Sequence, residues 1–355
     1  MIVFVVSFIS PHTLPLGRAL SAYSEVAFIN TMPLTEERRR LGYDVNDEKI
    51  KVYNYFENTD ECSKIIDSAE CVIFAGAFGF DVIKKRVSEN KLTLFMNERV
   101  FKKGIIKMLD PRTYELISFC RQLRGKNVSL LAIGNNSAKD FARLGFPKDK
   151  IFEFGYFTDE SIITDKKTSS DTCQIVWVGR MVDFKRPLLA LRAMRRLPTR
   201  YKLTMIGSGK LFAKVSLYTK RHAIAVDLRA EATHSEVIDA MARSHILLST
   251  SDKGEGWGAV INEGMSSGCA VVCSDEIGCI NTLARRDNAI IFKSGSLSSL
   301  VNAIKLADEK YTELSAKSIQ TINEEFNPTV AAERLFAFID KGEEADSGVC
   351  SRVFK

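Results

Sequence analysis

Along the chain, short unbroken apolar runs alternate with longer segments whose apolar residues recur at helical spacing. In the first half the runs are "IVFVVSFI", "EVAFIN", "CVIFAG", "LTLFM" and "VSLLAI"; in the second they are "QIVWVG", "KLTMIG", "AIAVDL", "HILLST", "AVVCS" and "AIIF". A strand buried on both faces shows no polar alternation, and strands that alternate with helices are the mark of a parallel α/β sheet. Two such series in 355 residues predict two Rossmann-like domains. The stretch "GYFTDESIITDKKTSSDT", residues 155–172, turns polar and rich in Ser, Thr and Asp, and marks the join between them.

Composition narrows the class. Hydrophobic residues make up 45% of the chain, enough for each domain to bury a full core. No apolar run approaches the roughly 18 residues that a bilayer span requires. The opening "MIVFVVSFISPH" lacks a basic leader region and a small-residue cleavage site, so it reads as a buried first strand and the protein as cytosolic. The eight cysteines form no CxxC pair, and several lie inside apolar runs such as "CVIFAGA" and "CQIVWVG". They are expected to be reduced and buried, without a metal or redox role. His222, His234 and His245 have no metal-ligand spacing either.

The net charge of +6 is unevenly spread: between Arg99 and Lys126 eight basic residues stand against Asp110 and Glu115 alone. That segment, "RVFKKGIIKMLDPRTYELISFCRQLRGK", sets Pro111 to open a helix after Asp110. It is either a solvated helix face or a patch for an anionic membrane or a phosphorylated substrate. No nucleic-acid motif accompanies it, so nucleic acid is not expected as a partner.

In a parallel α/β sheet ligands gather at the C-terminal ends of the strands. After "QIVWVG" comes "RMVDFKRP", with Arg180 and Lys185 five apart behind Gly179; after "HILLST" comes "SDKGEGWGAVINEGM", with Glu255 and Glu263 eight apart. That spacing alone is weak, since about five such acid pairs would arise by chance in this chain. The context is stronger. Gly256, Trp257 and Gly258 form a turn ahead of a helix expected to start near Gly258 or Ala259, and first-turn amides lack intrahelical partners and suit anions. On that helix Ile261 and Met265 face the core, while Glu263 falls with Ala259, Ser266 and Ser267 on a face of small residues. A carboxylate only accepts hydrogen bonds, so Glu263 suits a pair of hydroxyls such as those of a ribose. Arg180 and Lys185 can offset the charge of a phosphate beside two acids. "IGSGKLF" is not a dinucleotide fingerprint, because Phe212 takes the place of the third glycine, nor a Walker loop, because Leu211 stands where Ser or Thr should.

"VGRMVDFKRP", "IGSGK" and "TSDKGEGWGAVINEGMSSGCAVVCSD" resemble the donor half of retaining glycosyltransferases of family 4, which share the GT-B fold, and the acid pair matches that family's Glu-x7-Glu motif. "SPHTLPLGRAL", "MNERVFKKG", "FGYF" and "FNPTVAAERLFAFI" are similar to a bacterial branch that makes cell-surface polysaccharides. The resemblance implies an α/β GT-B chain of two Rossmann-like domains facing across a cleft: residues 1–157 for the acceptor and 158–325 for the donor. It also implies a helix at 326–342 crossing back to the first domain; the tail, 343–355, reads as disordered or loosely attached.

The same resemblance implies that Arg180 and Lys185 bind the nucleotide diphosphate, that Glu263 binds the ribose, and that Glu255 contacts the transferred sugar and stabilises positive charge at its anomeric centre. Gly179, Gly207, Gly256, Trp257 and Gly258 complete the donor site. Gly17, Arg99, Lys102 and Lys103 fall on the acceptor or membrane side. Many members carry a Gly-Gly pair where this chain has only Gly17, and a deeper histidine where it has none between His12 and His222. His12 is therefore the histidine placed at the cleft, for proton transfer or for structure and substrate orientation. The expected partners are a nucleotide sugar, UDP-linked in preference to GDP-linked, and a saccharide or lipid-diphosphate-linked acceptor, with no cofactor or metal and possible contact with the inner membrane face. An epimerase, a sugar phosphorylase or a non-catalytic nucleotide-sugar-binding subunit is the alternative.

Overall fold

The computed structural model describes residues 1–36, 39, 47, 49–75, 81–102, 104, 110–158 and 171–354. Most of the expected join at 155–172 lies outside these. The chain divides into two compact units, Met1–Asp159 with Glu325–Lys355, and Glu160–Glu324.

In the first unit the described strands are β1 (Ile2–Val6), β2 (Val26–Asn30), β3 (Lys51–Asn54), β4 (Cys71–Ala75), β5 (Thr93–Asn97), β6 (Val128–Ile133) and β7 (Ile151–Phe154). They form one parallel sheet in the order 3-2-1-4-5-6-7, with Ile2 paired to Val26 on one side and to Cys71 on the other. Every residue of β1, β5 and β6 is buried, which is why those segments read as unbroken apolar runs. Phe95 centres the core, with the rings of Phe119 and Phe146 edge-on at 5.9 and 6.2 Å. Arg86 is buried, and its guanidinium donates to the carbonyls of Ile66 (2.7 Å) and Ala69 (2.9 Å) at the end of the helix Thr59–Ser68 and of Leu92 (2.9 Å) just ahead of β5, so backbone oxygens take the place of water around the charge.

The edge strands β3 and β7 were not foreshadowed by apolar runs. β3 leaves Lys51 and Val52 exposed, and β7, "IFEF", interrupts its run with Glu153. An edge strand buries less, so its sequence needs fewer apolar residues.

The tail corrects the expectation of a loose end. Val349 and Cys350 are fully buried. The Cys350 amide donates to the Glu153 carbonyl (2.9 Å), the Glu153 amide to the Ser351 carbonyl (2.8 Å) and the Val353 amide to the Ile151 carbonyl (3.0 Å). The chain end thus pairs antiparallel along β7 and covers its open edge, a drive that outweighs the polar composition of the segment. The helix Pro328–Lys341, capped by the Asn327 side chain, packs on the helix Leu14–Leu20 of the same unit, with Phe336 stacked 5.3 Å from Tyr23.

In the second unit β8 (Cys173–Val178), β9 (Tyr201–Ile206), β10 (Val226–Arg229), β11 (Ile246–Ser249), β12 (Ala270–Ser274) and β13 (Ala289–Phe292) form a parallel sheet. Its order is 10-9-8-11-12-13, which reproduces 3-2-1-4-5-6. Trp177, Met205, Leu248, Val272 and Phe292 lie in its core. In both sheets the direction of strand addition reverses beside the first strand, between β1 and β4 and between β8 and β11. That reversal leaves a crevice at the strands' C-terminal ends, the usual ligand position in open α/β sheets.

Deleting residues 345–355 is predicted to release the Glu153 amide from its partner; hydrogen exchange read by mass spectrometry should show that amide exchanging much faster, and unchanged protection would refute the edge-covering role.

Candidate donor site of the second unit

β8 and β11 are neighbours in register, Ile175 with Ile246 and Val176 with Leu247, so the loops that leave them meet although some 70 positions separate them in sequence. Five contacts stitch β8 and the loop after it to the loop after β11. The buried Thr250 hydroxyl donates to the Lys185 carbonyl (2.7 Å) and accepts the indole N–H of Trp177 (2.9 Å). The Asp252 amide donates to the Phe184 carbonyl (2.7 Å), and the Asp252 carboxylate pairs with Arg186 (3.3 Å). Finally, the Lys185 ammonium pairs with the Glu255 carboxylate.

Arg186 adopts a left-handed backbone (φ 49°) immediately before Pro187, which opens the helix Pro187–Met194. A left-handed backbone costs a non-glycine residue roughly 1–3 kcal/mol, and here Asp252 and the Ser294 hydroxyl (2.6 Å) hold the guanidinium in place.

Lys185 and Glu255 are largely buried, at 14% and 13% exposure of their side chains, so water screens their attraction poorly. The Ser251 hydroxyl donates to the same carboxylate oxygen of Glu255 (2.8 Å), and the Glu255 amide donates to the Asp252 carbonyl (2.9 Å). Glu263 lies on the helix Val260–Ser266, which starts one or two residues later than the sequence implied. Burial pushes its pKa from 4.5 up to about 7, and the nearby Lys185 charge works in the opposite direction. Lys185 is thus the cation common to both acids. Arg180, in the same loop, is exposed.

Several expected contributors have other places. Trp257 is buried, and its indole N–H donates to Asn262 Oδ1 (2.7 Å), so its side chain braces the turn from inside and only its backbone is left to meet a ligand. Ser266 and Ser267 are buried instead of lining open space, and the Ser266 hydroxyl donates to the Asn262 carbonyl (3.0 Å). Gly207 is needed for a close approach: at φ 130° a Cβ there would overlap the Gly179 carbonyl oxygen. Gly278, which the sequence did not single out, is constrained in the same way against the Gly256 carbonyl and so fixes the Glu255–Gly258 turn from behind. Thr250, Ser251, Asp252 and Arg186 were also missed. Except for Ser251, which meets Glu255 in its own loop, their contacts cross between the segments after β8 and β11, and no local spacing signals that.

In the first unit His12 lies between β1 and the helix Leu14–Leu20, with its amide donating to the Ser10 hydroxyl (3.3 Å) and its ring 5.8 Å from that of Tyr156. Gly17 is buried inside the helix, and a Cβ there would meet the Phe28 ring at 2.5 Å. Its place is explained by packing. Arg99 corrects the surface reading: its side chain is only 13% exposed and lies 3.7 Å from Asp140, which is 2% exposed and accepts the Phe101 amide (2.9 Å). The Phe101–Asp140 hydrogen bond anchors the loop after β5, and the Arg99 side chain is drawn inward beside the same carboxylate. Lys102 pairs with Glu98 at the surface, and Lys103 lies outside the described residues. All eight cysteines are buried and free. Among the described residues no helix is long and apolar enough to cross a membrane.

Residues 158–324 match the family model of glycosyl transferases group 1. No curated protein matches the chain in sequence. A glycosyltransferase of Rickettsia africae is 14% identical with a TM-score of 0.71, over 96% of this chain and 99% of that one. HepE of Anabaena, solved in complex with UDP, is 12% identical with a TM-score of 0.69, over 94% of this chain and 98% of that one. A TarM variant of S. aureus, solved with UDP, is 11% identical with a TM-score of 0.67, over 96% of this chain and 100% of that one. At these identities the likeness carries the fold, two Rossmann-like α/β domains of the GT-B class.

The raised pKa of Glu263 predicts a pH-dependent stability. Its contribution is fully present below the unfolded value of 4.5, declines as the pH rises, and is lost through about 7. Glu263→Gln should remove that dependence, so that the stability of the wild type relative to the variant falls by roughly 2–3 kcal/mol between acid and mildly alkaline pH. Parallel urea titrations of the two chains check this, and a constant difference would refute the burial argument.

Proposed function

We propose that the chain is a retaining glycosyltransferase that moves a sugar from a nucleotide-sugar donor to a saccharide or lipid-diphosphate-linked saccharide, in cell-surface polysaccharide synthesis at the cytoplasmic face of a membrane. The observation that carries the reading is Lys185 held against Glu255 and near Glu263, at the point where the second sheet reverses its strand order. The group 1 match over residues 158–324 supports a sugar transferase, and the UDP bound by HepE and TarM favours UDP over GDP as the donor's nucleotide.

In this reading Arg180 and Lys185 hold the donor diphosphate, Glu263 accepts hydrogen bonds from the ribose hydroxyls, and the Gly256–Gly258 backbone donates to sugar or phosphate oxygens. The diphosphate competes with Glu255 for the Lys185 ammonium. As the bond from the anomeric carbon to the phosphate oxygen breaks, positive charge develops on the sugar, and the Glu255 carboxylate stabilises it. The departing diphosphate oxygen takes the proton of the acceptor hydroxyl, whose oxygen bonds to the anomeric carbon on the same face. The configuration is retained without a covalent intermediate. The positive charge comes from Arg180 and Lys185, so transfer is expected to proceed without a divalent metal. The first unit, with His12 at the end of β1, takes the acceptor.

Glu255→Gln is predicted to preserve or tighten nucleotide binding, because it frees Lys185 for the diphosphate, and to lower transfer by roughly 100- to 1,000-fold. Measured with a UDP-sugar and a panel of saccharide acceptors, transfer at the normal rate would remove Glu255 from the chemistry. Without an acceptor the nucleotide sugar should stay largely unchanged; conversion to an epimer would favour a different enzyme class. Arg180→Ala should weaken UDP binding about 10- to 100-fold by calorimetry, the loss of a charge-assisted contact, and unchanged affinity would refute the diphosphate role.

A further inference from the structure

Residues 184–226 hold 11 Lys and Arg and no Asp or Glu. Lys185 and Arg186 belong to the donor loop, while Arg200 pairs with Asp308 (2.6 Å) and Lys210 with Asp183. Six of the others, Arg192, Arg195, Arg196, Lys214, Lys220 and Arg221, lie on two neighbouring helices or the turn that follows: Pro187–Met194 after β8 and Phe212–Arg221 after β9. All six are exposed, and among the described residues none is in a salt bridge.

Three observations draw these cations into one surface. Arg195 donates to the Tyr218 hydroxyl (3.2 Å), which ties the two helix ends together. The Tyr218 ring lies 4.4 Å from that of His222. The His222 pKa is lowered by desolvation and by the charges of Arg195 and Arg221, so both cations are near the same imidazole. Along the second helix Lys214, Leu217, Lys220 and Arg221 follow one another at three- and four-residue spacing on one face, with Val215 and Thr219 buried on the other. Leu217 is 67% exposed in the middle of that cationic stripe.

Both helices run antiparallel to the strands they connect. Arg195, Arg196, Lys220 and Arg221, at their C-terminal ends, therefore lie at the opposite end of the sheet from Arg180, Lys185 and Glu255, and cannot serve a donor bound there. A small anionic ligand needs a concave site with directed donors, and it gains nothing from an exposed leucine at the centre. An anionic bilayer fits both features: Lys and Arg stems extend to phosphate headgroups while the leucine enters the boundary between headgroups and acyl chains. We propose that this face of the second unit binds an anionic phospholipid membrane. It is a different surface from the 99–126 segment, where Arg99 is turned inward.

The test is flotation of the full chain with vesicles of mixed phosphatidylcholine and phosphatidylglycerol, against phosphatidylcholine alone, at low and high salt. The wild type should float with the anionic vesicles at low salt only. The variant R196E/K220E/R221E should partition at least about 100-fold more weakly, from roughly five-fold per cation removed. Leu217→Gln should retain the salt-sensitive attraction with partition lowered several-fold. All four positions are exposed, and a melting curve matching that of the wild type shows that each variant folds. Undiminished flotation of the triple variant, no flotation of the wild type, or loss on Lys102→Glu with the triple variant unaffected would overturn the proposal. None of Arg196, Leu217, Lys220 and Arg221 belongs to the donor loops or to the acceptor side, so turnover of these variants with a soluble acceptor should be that of the wild type. The donor reading and the membrane reading therefore stand or fall separately.

Discussion

The second unit is organised around a single ammonium group. Lys185 pairs with Glu255, and its charge bears on Glu263, whose carboxyl burial raises to a pKa of about 7. Two poorly hydrated acids in one crevice disfavour each other's ionisation unless a cation lies nearby. The surrounding backbone is arranged to keep that cation in place. Thr250 binds the Lys185 carbonyl, Arg186 bends the chain beside it, and Asp252 restrains Arg186.

This arrangement depends on the order in which strands were added to the sheet. β8 and β11 are adjacent because the sheet grew first in one direction and then in the other. The Thr250–Trp177 hydrogen bond buries the joint beneath the two loops. The first sheet has the same reversal between β1 and β4, which sets the loop carrying His12 at the corresponding end of its own sheet. One topology used twice thus provides two equivalent crevices, and the loops differ in chemistry: cations and carboxylates in the second unit, hydroxyls, aromatic rings and a histidine in the first.

Charge is divided by the same geometry. The acid-free segment 184–226 contains β9 and the two helices on either side of it in sequence, so its cations sort by the direction each element runs. Those at the strand ends serve the carboxylates, while those at the helix ends are left to solvent or a charged surface. A cation count along the sequence cannot make that division. Arg86 and Arg99 illustrate the converse: both are charged side chains taken inward, the first by backbone carbonyls and the second toward Asp140.

The sequence by itself determined the architecture of buried strands and singled out the residues that the second sheet's crevice brings together. Apolar runs such as "VSLLAI" and "AVVCS" leave no other place than the middle of a sheet, because every residue in them must leave water. Lys185, Glu255 and Glu263 stood out because they lie in the loop or helix that comes after such runs. The edge strands β3 and β7, the docking of the tail on β7, the packing role of Gly17 and the inward turn of Trp257 and Arg99 were decided only in three dimensions. In each case the deciding partner is distant in the chain: Ser351 for Glu153, Phe28 for Gly17, Asp140 for Arg99. Local spacing reports how a segment meets water, whereas the choice among partners is made by what the fold brings within a few ångströms.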